Sequence, residues 1–100
     1  MYYEQKNYSE AINYLKRSLE IQEKVKGKGI IDTTLTLNNI GNVYYKQKNY
    51  SEAINYFKRS LEIQAKIYYG KGTIDTARTL NTIGHVYYEQ ENYKLSAEYF

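Results

Sequence analysis

The chain has 100 residues, 42% of them hydrophobic, with 14 tyrosines, six glycines, no proline and no cysteine, and a net charge of +3. Without cysteine there are no disulfides and no thiolate metal centres; without proline and with little glycine, long helices are favoured over a turn-rich all-β fold. The positive balance is thin and spread out, which does not announce a nucleic-acid partner. No apolar run is long enough for a signal peptide or a membrane span, so a cytoplasmic home is the default expectation.

In chain order, residues 2–6 read as the tail of a helix whose first half precedes them. Ser9 is the expected N-cap of a helix over 9–26, which carries Ala11, Ile12, Leu15, Leu19 and Val25 at helical spacing. Lys26-Gly27-Lys28-Gly29 should stop that helix, with glycine ending it and lysine suiting the negative end of the dipole. Asp32 is expected to cap a helix over 32–47, with Ile31 as its hydrophobic staple. Here Leu37, Ile40, Gly41 and Tyr44 share one stripe. Gly41 inside a helix costs about 1 kcal/mol relative to alanine, and close approach of a neighbouring helix through Ala53 is the expected compensation.

A turn at Lys48-Asn49-Tyr50 leads to a helix over 51–68, with Ser51 as expected cap and Ala53, Ile54, Phe57, Leu61 and Ile67 on its apolar side. Tyr69-Gly70-Lys71-Gly72 breaks the chain again. Asp75 and Ile74 repeat the cap and staple for a helix over 75–90, where Leu80, Ile83, Gly84 and Tyr87 stand as in the earlier helix. A last helix is expected over 94–100.

The chain is written almost three times. Residues 2–24 match residues 44–66 except at Glu4/Lys46, Leu15/Phe57 and Glu23/Ala65, and a weaker copy starts at Asp75, at a shift of 43 from Asp32. Such a period is the signature of a stacked repeat. The expected division is a partial first repeat over 1–31, a second over 32–74 and a truncated third over 75–100, a piece of a longer array.

Gly41-Asn42, Tyr44-Tyr45, Tyr50, Ala53, Tyr56-Phe57 and Ser60-Leu61, after a leading Leu37, resemble the tetratricopeptide repeat pattern. Each repeat is about eight residues longer than the usual 34. Together with Thr36-Leu37-Asn38-Asn39-Ile40 and Leu61-Glu62-Ile63, this resembles the kinesin light chain type of repeat. Lys48 replaces the usual turn glycine, and Ala65 the usual proline. The resemblance implies an all-α solenoid of antiparallel helix pairs in a right-handed superhelix, the first helix of each pair lining a concave groove, and a role in protein interaction.

By that resemblance, Leu35, Asn38, Asn42 and Tyr45 of the second repeat face the groove, as do Arg78, Asn81, His85 and Tyr88 of the third. Asn39 and Thr82 flank it, with Lys46 and Glu89 one residue on. Asparagine both donates and accepts, so it can pair with the backbone of an extended peptide; tyrosine adds rigid amphipathic area. The expected groove set is therefore Asn38, Asn39, Asn42, Tyr45, Lys46, Arg78, Asn81, Thr82, His85 and Tyr88. The competing reading of these amides is a solvated face, with Asn39 bridging neighbouring helices. Asn38 and Asn81 stand where a carboxylate clamp wants a cation, so no such clamp is expected.

His85 is the only histidine and has no second ligand beside it in the sequence, which makes it a poor metal candidate. No nucleophile with an orienting partner is apparent, and the Gly-Lys-Gly segments read as loop punctuation rather than phosphate cradles. No enzymatic activity, cofactor, metal, nucleic acid or membrane is expected. The expected partner is a peptide segment of another protein. The alternative is self-assembly of repeat units through half-finished ends, since solenoids need polar caps and near-identical repeats can replace one another.

Overall fold

The computed structural model describes residues 5–24, 30–67 and 74–99. They form four helices: α1 (Gln5–Lys24), α2 (Ile30–Lys46), α3 (Tyr50–Ile67) and α4 (Ile74–Tyr99). Among the described residues there is no strand. Each helix packs on the next, α1 on α2, α2 on α3 and α3 on α4. This is the antiparallel, all-α repeat that the resemblance implied.

Packing follows the stripes. Leu37 and Ile40 of α2 are fully buried, between Leu15 and Leu19 of α1 and Tyr56 and Ile63 of α3. A second core joins Tyr50, Ala53, Ile54 and Phe57 of α3 to Ile83 and Val86 of α4. Full burial of one such aliphatic or phenyl side chain stabilises by about 1.5–3 kcal/mol, so these two clusters dominate the fold. The close approach at Gly41 is real, and the atoms nearest it belong to Phe57: a Cβ on Gly41 would lie 2.9 Å from Cε1 and Cζ of the Phe57 ring.

The caps differ from expectation. Lys48 adopts φ 66°, in the left-handed region. Its N–H donates to the Tyr45 carbonyl at 2.9 Å, and the Asn49 N–H donates to the Tyr44 carbonyl at 2.9 Å. This pair of bonds is a Schellman ending, usually built on glycine. Asn49, not Ser51, precedes α3 and accepts from the Ala53 N–H at 3.1 Å. Asp32 and Asp75 lie within the first turns of α2 and α4, where they complement the dipole rather than cap. Ile74 is 77% exposed and staples nothing. Both Gly-Lys loops, Val25 and the side chains of Ile31 and Ile67 lie outside the described residues.

Two expected breaks are absent. Ser9 lies inside α1, which runs unbroken from Gln5, and the helices expected over 75–90 and 94–100 are one helix. Residues 5–14 are identical to 47–56, yet only the second copy turns. The difference is tertiary. In the middle copy Tyr50 is buried against Tyr45 and Tyr93, with ring centroids 5.8 Å away in each case. That burial offsets the cost of a left-handed lysine, about 1–2 kcal/mol. On α4, Gln90 Nε2 donates to Ser51 Oγ at 3.1 Å and Tyr93 packs on Tyr50, so contacts with the start of α3 hold the helix straight through the third copy.

The straight course of α4 also changes its exposure. Its packed face is Thr79, Ile83 and Val86, while Leu80 and Tyr87 are 53% and 46% exposed. A Cβ on Gly84 would meet nothing within 4 Å. The close approach expected there by analogy with Gly41 is missing, because among the described residues no helix folds back onto that stripe.

Candidate functional site

Helices α2 and α4 run side by side across α3, and a cavity of about 230 Å³ opens between them. Leu35, Asn38 and Asn42 line it from α2, Arg78 and Thr82 from α4. These are positions at which the sequence placed the groove. Steps of three and four residues put them on the facing sides of the two helices.

Other lining residues carried no such signal in the sequence. Phe57 and Gln64 come from α3, Thr34 from α2, and Asp75 and Thr79 from α4. Phe57 and Gln64 belong to a second helix of the repeat, which the groove expectation set aside. The one available clue was that Gln64, with Gln22 before it, is an amide on the inward side of an amphipathic helix. Gln64 is only 6% exposed, and its Oε1 has no hydrogen-bond partner; the same holds for Asn38 Oδ1. Leaving such an atom buried and unpaired costs about 1–3 kcal/mol.

Two of the lining threonines, Thr79 and Thr82, are engaged with the backbone of their own helix. Thr79 Oγ1 donates to the Asp75 carbonyl at 3.1 Å and Thr82 Oγ1 to the Arg78 carbonyl at 2.9 Å. Each therefore turns lone pairs, not a donor, toward its surroundings. Arg78 Nη1 lies 4.0 Å from Asp75 Oδ1, with both side chains largely exposed, so the rim carries one charge of each sign in loose contact.

Further along the same face, Tyr45 and His85 are hydrogen-bonded through Oη and Nε2 at 3.1 Å, with ring centroids 5.9 Å apart. Glu89 Oε2 lies 3.8 Å from His85 Nε2. Burial, and then the Glu89 carboxylate, push the Tyr45 phenol above its ordinary value. These two expected groove residues thus form a strut between α2 and α4. The remaining four do not line the cavity. Asn39 and Lys46, seven apart, share an exposed strip of α2, and Asn81 and Tyr88 an exposed strip of α4.

No group of three or more His, Cys, Asp or Glu among the described residues is arranged to hold a metal. No described helix is long and apolar enough to cross a membrane. What the cavity offers is amide and hydroxyl hydrogen bonding over an aromatic floor.

The tetratricopeptide repeat family model matches residues 1–66 and again 31–100, and the chain belongs to that family. Tetratricopeptide repeats generally mediate protein–protein interaction and are typically non-enzymatic scaffolds. The comparison with curated proteins gave no match.

Proposed function

We propose that this chain is a protein-interaction scaffold that holds a peptide segment of its partner along the face between α2 and α4. The observation that carries the reading is the convergence of Asn38, Asn42, Arg78 and Thr82 on one cavity. Asn38 and Asn42 lie one helical turn apart, a spacing that lets successive amides pair with an extended backbone. No catalytic role is assigned to any residue, and no cofactor enters the reading.

Panning a random peptide library on the chain tests it. Peptides enriched on the parent should bind about five- to 150-fold more weakly to Asn38→Ala with Arg78→Ala, since each of two hydrogen bonds lost costs about 0.5–1.5 kcal/mol. Helicity by circular dichroism should be unchanged. Equal binding to parent and variant, or no enriched peptide at all, would overturn the groove.

A second reading, self-assembly, is favoured by the open stripe Leu80–Gly84–Tyr87 of α4. In α2 the equivalent stripe is covered by α3, and α1 repeats α3 closely: residues 5–24 differ from 47–66 only at Leu15/Phe57 and Glu23/Ala65. Helix α1 of a second copy, with Leu15 over Gly84, would complete the pair in a head-to-tail contact. Sedimentation at about 100 µM should then give more than the monomer mass, and Gly84→Leu should restore the monomer. A parent that sediments as a pure monomer would eliminate this reading.

A further inference from the structure

We infer that molecules of this protein join end to end through an aromatic joint, in which Tyr14 of one molecule stacks on Tyr87 of the next between Arg17 and Lys58. The joint presupposes the self-assembly reading and names the side chains that make it. Its pattern is already present once within the chain. Where α3 covers α2, the Tyr44 and Tyr56 rings are stacked, with centroids 5.7 Å apart and planes inclined by 22°. Lys16 Nζ stands 5.5 Å from the Tyr44 centroid, and the Arg59 guanidinium carbon 5.3 Å from that of Tyr56. Leu37 and Ile40 of α2 and Ile63 of α3 complete the contact.

The two halves of this arrangement recur on α1 and α4, each without the other. At a shift of 42, Tyr14, Arg17 and Ile21 of α1 match Tyr56, Arg59 and Ile63; at a shift of 43, Leu80, Ile83 and Tyr87 of α4 match Leu37, Ile40 and Tyr44. Both cations are already in place. Arg17 lies 5.4 Å from the Tyr14 centroid, and Lys58, which matches Lys16, lies 5.5 Å from that of Tyr87. Only the opposing ring is missing from each. Tyr14 and Ile21 are 67% and 65% exposed, and Leu80 and Tyr87 are exposed as well. A stacked pair adds about two- to tenfold in affinity beyond the area it buries.

The faces fit each other better than either fits itself. Open space over Gly84 can take Leu15, as the backbone at Gly41 takes the matching Phe57. Two α1 faces have no such gap, and two α4 faces would set gap against gap. The contact is therefore head to tail, and it repeats. One element of the internal contact is absent from the joint. Arg59 Nη2 pairs with Glu23 Oε2 at 2.8 Å between α3 and α1. The matching residues at the joint are Arg17 of one molecule and Ala65 of the next, so no ion pair forms there.

The test blocks one face at a time. Ile21→Lys closes the α1 face and Leu80→Lys the α4 face, both at exposed positions, so helicity should be unchanged. By sedimentation at about 100 µM the parent should exceed the dimer mass, and each variant alone should be a monomer. Mixed in equal amounts, the two variants should form a dimer and nothing larger, since each supplies the face that the other lacks. Ala65→Glu in the Ile21→Lys molecule should tighten that dimer by about 1.5- to fivefold, the range of an exposed ion pair. With Arg17→Ala in the Leu80→Lys molecule, the same change should have no effect. A variant that assembles alone, a mixture that stays monomeric, or a mixed dimer indifferent to Ala65→Glu would each overturn the inference. A parent that assembles while either variant still does so alone keeps self-assembly and removes the joint. A monomeric parent removes both.

Discussion

The Phe57 ring lies directly on the backbone of Gly41, so closely that a Cβ there would come within 2.9 Å of two ring carbons. The equivalent glycine, Gly84, meets nothing within 4 Å. The same substitution should therefore act in opposite directions at the two sites. Gly84→Ala should stabilise by about 0.5–1 kcal/mol, the helix-propensity gain at an exposed interior position. Gly41→Ala gains the same propensity but overpacks a buried ring, which costs about 1–3 kcal/mol, so a net loss of about 1 kcal/mol is expected. Urea midpoints for the two variants decide it, and shifts of the same sign would disprove the packing argument.

Lys48 occupies a left-handed conformation that disfavours a side chain. Lys48→Gly should raise stability by about 1 kcal/mol, because glycine enters this conformation without steric cost. Glu91, at the matching place in the unbroken helix α4, should respond in the other direction: Glu91→Gly should cost about 0.5–1 kcal/mol and lower the helical signal. Thermal melts followed by circular dichroism would check both.

Gln64→Leu should keep or raise the melting temperature. It removes a buried acceptor that lacks a partner and substitutes an apolar side chain of similar size, a change that ranges from neutral to about 1 kcal/mol stabilising. A variant destabilised by more than about 1 kcal/mol would contradict the reading of Gln64 Oε1 as an unpartnered buried acceptor.

Alkaline conditions should weaken the fold. Tyr50 is held above its ordinary pKa mainly by burial and further by Glu89, as is Tyr45. Lys16 is raised mainly by its hydrogen bond to Tyr44, against the opposing effect of burial, as it stands 5.5 Å above that ring. In each case the native state binds its proton more tightly than the unfolded chain. Stability from these groups is therefore complete below the unfolded values, 10.0 for tyrosine and 10.5 for lysine, and is lost as pH rises through the higher native values. Urea midpoints should hold from about pH 8 and fall toward about pH 11, and Tyr50→Phe should flatten that fall. A flat profile in the parent would contradict the burial of Tyr50.

The repeat, the helix content and the core stripe of α2 were legible in the chain. Each depends on spacing along one helix, or on likeness between copies, and both are local properties. Asn38, Asn42, Arg78 and Thr82 were found this way, and they meet at one cavity. Gln64 and Phe57 were not placed in the site, since their part in it depends on how α3 crosses beneath α2 and α4. Tyr45 and His85 were assigned to a ligand but bond to each other, a pairing across 40 residues that no period reveals.

What the sequence determined by itself is the set of helices available to this chain and the faces they bury, because side-chain periodicity and propensity act within a few residues. Where a helix ends was decided by tertiary contact. Residues 5–14 and 47–56 are the same peptide, continuous helix in one place and a left-handed turn in the other. The turn forms where burial of Tyr50 against Tyr45 and Tyr93 outweighs the strain at Lys48.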